Sequence, residues 1–159
     1  MKKLFFVFAI LLGAQQAGAQ QIKAVSADGI MHKTSSSDTV YIINFWATWC
    51  MPCVQELPEF NTLYDRYKGK AVKILMVSLD FKDAYPYKLA SFWERKRMSP
   101  ETVWLSDTDP NSFIPKIEDK WQGSIPATLI IKPGTFRKFI EGQIEAKQVA
   151  GIVDDVLGH

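Results

Sequence analysis

The sequence is poor in the two residue types that most often build metal centres, with two cysteines and two histidines in 159 residues. A structural zinc site takes four ligands. Cys50, Cys53, His32 and the terminal His159 would have to supply them all, so no metal ligand is assigned. His32 alone reads as an ordinary turn or surface residue. Excess charge is missing too: with the first 19 residues set aside, 17 basic residues face 17 acidic ones. That balance argues against a nucleic-acid binder, which needs a basic face to displace counterions. The run Glu94-Arg95-Lys96-Arg97 reads as a solvated helix end. Repeats, low-complexity tracts and long linkers are also absent, and about 140 residues suit one domain with its own core.

Nor is there an apolar run of the ~20 residues that span a bilayer. The run Leu4 to Leu12 follows Lys2-Lys3 and precedes the small residues Ala17-Gly18-Ala19, the pattern of a cleaved secretory signal. Residues 1–19 are therefore read as a signal peptide and residues 20–159 as one exported, soluble domain, with a retained anchor as the alternative. Lipid attachment is not expected, because neither cysteine lies near the cleavage site.

What the chain does have is order. Val40 to Phe45 and Val72 to Leu79 are apolar, β-branched runs of buried-strand type. Between them Met51 to Tyr67 carries apolar residues at helical spacing, closed by Gly69. Pro86 to Arg97 predicts a helix, Thr102 to Leu105 a short strand, and Asn111 to Glu118 a short irregular helix. Ala127 to Ile131, the Pro133-Gly134 turn and Thr135 to Glu141 predict a hairpin, and Ala146 to Leu157 a closing helix. Strands alternating with helices predict an α/β fold with parallel pairs, to which the hairpin adds antiparallel strands. Ile22 to His32, with Asp28-Gly29 as a turn signal, predicts a small hairpin ahead of the core.

Both cysteines fall in the stretch NFWATWCMPCVQELP, residues 44 to 58. If a helix begins near Cys50, the three-residue spacing puts the second thiol one turn on and nearly above the first, which allows a disulfide. On the same wheel Leu57, Phe60, Tyr64 and Tyr67 lie within about 40° of Cys53, so Cys53 belongs to the buried stripe. Cys50 lies about 60° off it, in the first turn. Free N–H groups and the helix dipole favour an anion there, which makes Cys50 the exposed thiol of lowered pKa. A purely structural role is poor, since so short a loop removes little unfolded-state entropy. Thiol redox exchange is the chemistry left.

The motif NFWATWCMPC, Pro58, the segment SIPATLII and Gly142 in FIEGQIEAKQV together resemble a thioredoxin-fold protein. The fuller pattern FWATWCxPCxxELP behind a signal peptide is similar to the TlpA/ResA-like branch of extracytoplasmic thiol-disulfide oxidoreductases. The likeness in order and spacing covers residues 38 to 157, with 80 to 122 matching only in general layout. It implies an α/β thioredoxin fold, a central mixed β-sheet flanked by helices, with the N-terminal hairpin and a central insertion.

The resemblance also implies roles. Cys50 attacks a partner's disulfide and Cys53 resolves the mixed disulfide, with no cofactor beyond this redox-active pair. Trp49, Met51, Pro52, Ile125 and Pro126 form the substrate-binding surface, and Pro126 is cis. Trp121 either helps shape that surface or packs in the core. Asn44 stands where thioredoxins place a buried aspartate, and Glu56, half-buried one turn after Cys53, matches an active-site glutamate of the TlpA/ResA-like branch. The implied function is a periplasmic or otherwise extracytoplasmic protein-disulfide reductase, a monomer that acts on disulfide- or thiol-bearing proteins such as apocytochrome c. It would draw electrons from a membrane donor protein. The rivals are a DsbA-like dithiol oxidant, a branch that usually carries histidine where this chain has Met51-Pro52, and a copper- or metal-delivery module using the thiol pair.

Overall fold

The computed structural model describes residues 21–158. The proposed signal segment and His159 lie outside the described residues. The element order is β1 (Lys23–Val25), α1 (Ala27–Lys33), β2 (Val40–Trp46), α2 (Met51–Tyr67), β3 (Val72–Ser78), α3 (Tyr87–Arg95), β4 (Glu101–Leu105), α4 (Pro110–Ile117), β5 (Ala127–Lys132), β6 (Phe136–Glu141) and α5 (Ala146–Leu157).

One six-stranded mixed sheet, in the order β1-β4-β3-β2-β5-β6, organises the domain. β2 is its centre, paired parallel with β3 and antiparallel with β5. Every residue of β2 is buried, which is why the strand reads as a continuous apolar run and not as an alternation. Its alternate side chains feed two cores. Val40, Ile42 and Trp46 face Leu57, Phe60 and Leu63 of α2, Leu89 and Trp93 of α3, and Val149 and Val153 of α5. Tyr41, Ile43 and Phe45 face Ile30 of α1, Phe113 and Ile117 of α4, and Trp121. Burial of each large apolar side chain is worth about 1.5–3 kcal/mol, so both layers contribute. The predicted central insertion places β4 between β3 and β1, parallel to both. Among the described residues no helix is long and apolar enough to cross a membrane.

The predicted N-terminal hairpin is not formed. Its first half is β1, which pairs with β4, and its second half is α1. Ser26 caps this helix by accepting from the Gly29 N–H at 3.1 Å, and Asp28 stands in the first turn, where the dipole favours it. Asp28-Gly29 is thus a helix start. The glycine answers to crowding, since a Cβ at position 29 would lie 2.9 Å from Val25 Cγ1.

Candidate active site

Cys50 is the residue that caps α2, one position before the first turn. Its backbone is extended (φ −86°, ψ 100°), its carbonyl accepts from the Val54 N–H at 3.0 Å, and its Sγ accepts from the Cys53 N–H at 3.3 Å. Pro52 occupies the first turn, where its missing N–H would have no intrahelical partner. Cys50 and Cys53 form a disulfide, S–S 2.08 Å and Cα–Cα 5.3 Å. Cys53 is fully buried, as the wheel requires. Cys50 is also nearly buried in this oxidised form, at 6% exposure, and so less open than expected. Ile125 faces it: Cys50 Sγ lies 3.7 Å from the Ile125 carbonyl oxygen.

Opposite the disulfide, the Ile125–Pro126 bond is cis. Pro126 is buried and Ile125 half-buried, ahead of β5. Trp49, Met51 and Pro52 are exposed around the pair. Trp121 belongs to the core, packed on Phe45, Phe113 and Phe139 with its indole N–H donating to the Ser124 carbonyl. Its part is to support the loop before Pro126. His32 is on the surface. Among the described residues no group of three or more His, Cys, Asp or Glu side chains is gathered that could hold a metal ion.

Glu56 is 3% exposed, deeper than its half-buried wheel position suggests. Two donors hold it there: Asn44 Nδ2 reaches Oε1 at 2.9 Å and the Ile144 N–H reaches Oε2 at 2.9 Å. Burial nonetheless dominates. It pushes the carboxyl up to about 7 against the lowering effect of both hydrogen bonds, with Glu59 adding like-charge repulsion. Asn44 also donates to Thr128 Oγ1 at 3.1 Å and lies near the Ala127 carbonyl at 3.3 Å. Position 44, Glu56 and the start of β5 therefore share one buried polar cluster, whose Glu56 stands one turn of α2 after Cys53. Asn44 Oδ1 is buried with no protein partner among the described residues.

Three contacts were not legible in the sequence. Asp80, 4% exposed, accepts from the Thr48 N–H at 3.1 Å, the Thr48 hydroxyl and the Ser78 hydroxyl at 2.7 Å, tying the loop before Cys50 to the end of β3. Phe81 stacks on Trp49, with ring centroids 5.7 Å apart and planes 18° from parallel. Gln143 donates to the Pro52 carbonyl at 3.0 Å. Each joins segments far apart in the chain, so no local spacing could announce it.

The AhpC/TSA family profile matches residues 16–138. The chain belongs to the AhpC/TSA family. Within it the chain is 28% identical over 141 residues to thiol-disulfide oxidoreductase ResA of Oceanobacillus iheyensis, covering 86% of this chain and 68% of that protein. It is 31% identical over 93 residues to sporulation thiol-disulfide oxidoreductase A of Bacillus subtilis, covering 49% of this chain and 55% of that protein. Among solved structures, the thioredoxin-related protein from Neisseria meningitidis serogroup B has a TM-score of 0.64 at 25% identity, covering 76% of this chain and 86% of that one. These likenesses support an AhpC/TSA member of the TlpA/ResA-like branch, a thiol-disulfide oxidoreductase of the protein-disulfide reductase type.

Proposed function

We propose that the protein is an exported protein-disulfide reductase in which Cys50 attacks, Cys53 resolves and Glu56 moves the proton. The observation that carries the reading is the placement of Cys50 as the cap of α2, its sulfur at the Cys53 N–H and beside the Ile125 carbonyl, with Glu56 buried one turn behind. The Cys50 thiolate attacks one sulfur of the substrate disulfide. A Cys50–substrate bond forms, the substrate S–S bond breaks, and the other substrate sulfur leaves as a thiolate. Cys53 then loses its proton to Glu56 and attacks Cys50, which re-forms the disulfide and releases the second substrate thiolate. Two electrons pass from the dithiol to the substrate, and a thiol donor protein at the membrane must return them.

The Ile125 carbonyl and the exposed Trp49, Met51 and Pro52 suit an extended, cysteine-bearing segment. Disulfide-bearing extracytoplasmic proteins are the substrate class, apocytochrome c among them, and a soluble monomer working through its own disulfide is the proposed form. The test is the equilibrium reduction potential of Cys50/Cys53 against glutathione. A reductase should fall near the thioredoxin value of about −270 mV, and a result near the DsbA value of about −120 mV overturns the assignment in favour of an oxidant.

A further inference from the structure

Four large apolar side chains stand exposed among the described residues, Trp49, Met51, Phe81 and Tyr87. Trp49 and Met51 flank Cys50 in the chain, and Phe81, 69% exposed, stacks on Trp49. The stacked pair also walls a cavity of about 210 Å³ whose other apolar walls include Leu79, Leu105, Phe113 and Ile125. Of these walls, Trp49 directly precedes Cys50 in the chain and Ile125 brings its carbonyl oxygen to 3.7 Å from the Cys50 sulfur, so the cavity adjoins the disulfide.

The chemistry of the walls selects an occupant. The two carboxylates at the cavity already have donors: Asp80 holds Thr48 and Ser78, and Asp107 accepts from the Ala27 N–H at 2.8 Å. Lys82 and Thr108 add polar groups to the lining, and the rest of the open surface is mainly apolar. An apolar cavity of ~150 Å³ is enough for a benzene ring, so this one holds a single aromatic or large aliphatic side chain. In an extended segment, side chains two residues apart face the same way. A substrate cysteine turned toward Cys50 therefore sends the residue two positions away toward this same face, while its immediate neighbours point elsewhere.

We propose that the cavity beneath Trp49 and Phe81 is a specificity pocket for one aromatic or large aliphatic side chain of the protein substrate, two residues from the cysteine under attack. This rests on the reductase reading above and names the substrates it favours. Residues from the inserted β4–α4 segment, Leu105 and Phe113, make the pocket a property of this chain's insertion as much as of its cysteine motif.

The test uses the reduced protein and symmetric disulfide dimers of short peptides, each with one cysteine and a single Phe, Leu, Ala or Lys placed one or two positions from it. Hydroxyethyl disulfide, which has no side chain to fill the pocket, is the reference substrate. Phe or Leu two positions away should raise kcat/KM about tenfold or more over Ala or Lys, and the same residue one position away should not. In Phe81→Ala the ratio between the Phe and Ala peptides should shrink to about twofold, a comparison made within the variant. If hydroxyethyl disulfide is reduced but the peptides react alike, or if their preference survives Phe81→Ala, the pocket is refuted and the reductase reading stands. If hydroxyethyl disulfide is not reduced either, the reductase reading itself fails.

Discussion

Glu56→Gln separates the two consequences of burying a carboxylate beside a thiol pair. In the folded chain burial holds this carboxyl at about 7, where an unperturbed one sits at 4.5. At about 1.4 kcal/mol per pH unit, its ionised form is disfavoured by about 3 kcal/mol on folding. Because the folded value lies above the unfolded one, the contribution is fully present below pH 4.5. It is lost as pH rises through 7 and stays lost above. The substitution removes that loss at nearly constant volume. The new amide keeps an oxygen for the Ile144 N–H, and its NH₂ group would meet Asn44 Nδ2 unless the Asn44 amide turns over. Asn44 Oδ1, buried and without a protein partner, is the acceptor such a turn would present. Near pH 4 the two proteins should therefore differ by no more than about 1 kcal/mol, one exchanged hydrogen bond. By pH 8 the variant should be the more stable by about 2–3 kcal/mol. Urea unfolding of the oxidised proteins from pH 4 to 9 measures both curves, and parallel curves would refute the argument that this carboxyl is folded at a raised pKa.

The same substitution in the reduced protein should act in opposite directions on two rates: Cys50 should alkylate faster above about pH 7, where the carboxyl is ionised and a repelling charge is gone, and at an unchanged rate at mildly acidic pH, where the carboxyl is already protonated. Turnover of a disulfide substrate should fall about a hundredfold, because the proposed base for Cys53 is gone. Cys50→Ser should abolish substrate-disulfide reduction, and Cys53→Ser should accumulate mixed disulfides through Cys50. Limiting iodoacetamide that labels Cys53 before Cys50 would reverse the assigned roles. Asp80→Asn weakens an acceptor of three donors from Thr48 and Ser78, so a loss of about 2 kcal/mol in urea unfolding is expected, together with a slower Cys50. Glu59 accepts from the Ala146 N–H at 2.7 Å at the start of α5, whose own cap Glu145 makes no side-chain bond. Glu59→Ala should cost about 1 kcal/mol, which thermal unfolding reads directly.

The parts of the fold that were legible are those whose burial is two-sided or strictly periodic. β2 and β3 announce themselves as apolar runs because helices cover both faces of the sheet, and α2 and α5 because one stripe of each must meet it. The first strand and helix were not legible. Lys23–Val25 is three residues long, and its pairing partner, residues 103–105, lies far along the chain. Gly29 looked like a turn residue while serving a close helix–strand approach. Short elements that depend on distant partners carry too little local pattern to fix their type.

At the site the same distinction holds with a different physical cause. Cys50 and Cys53 are separated by helix geometry alone, so their order of burial follows from the sequence. Glu56 was placed correctly around the helix but at the wrong depth. Its burial is set by what meets it from elsewhere, Asn44 from β2 and the Ile144 N–H from the loop before α5. Without those two donors a carboxylate at that depth would be costly, and with them it is held but only partly compensated, which is why its pKa remains high. The residue standing where thioredoxins keep a buried aspartate is thus not a simple loss of a proton acceptor. Asn44 offers a donor to the ionised Glu56, and by turning over can offer an oxygen to the protonated one, so a single amide can serve both protonation states of the carboxyl that the proposed mechanism uses.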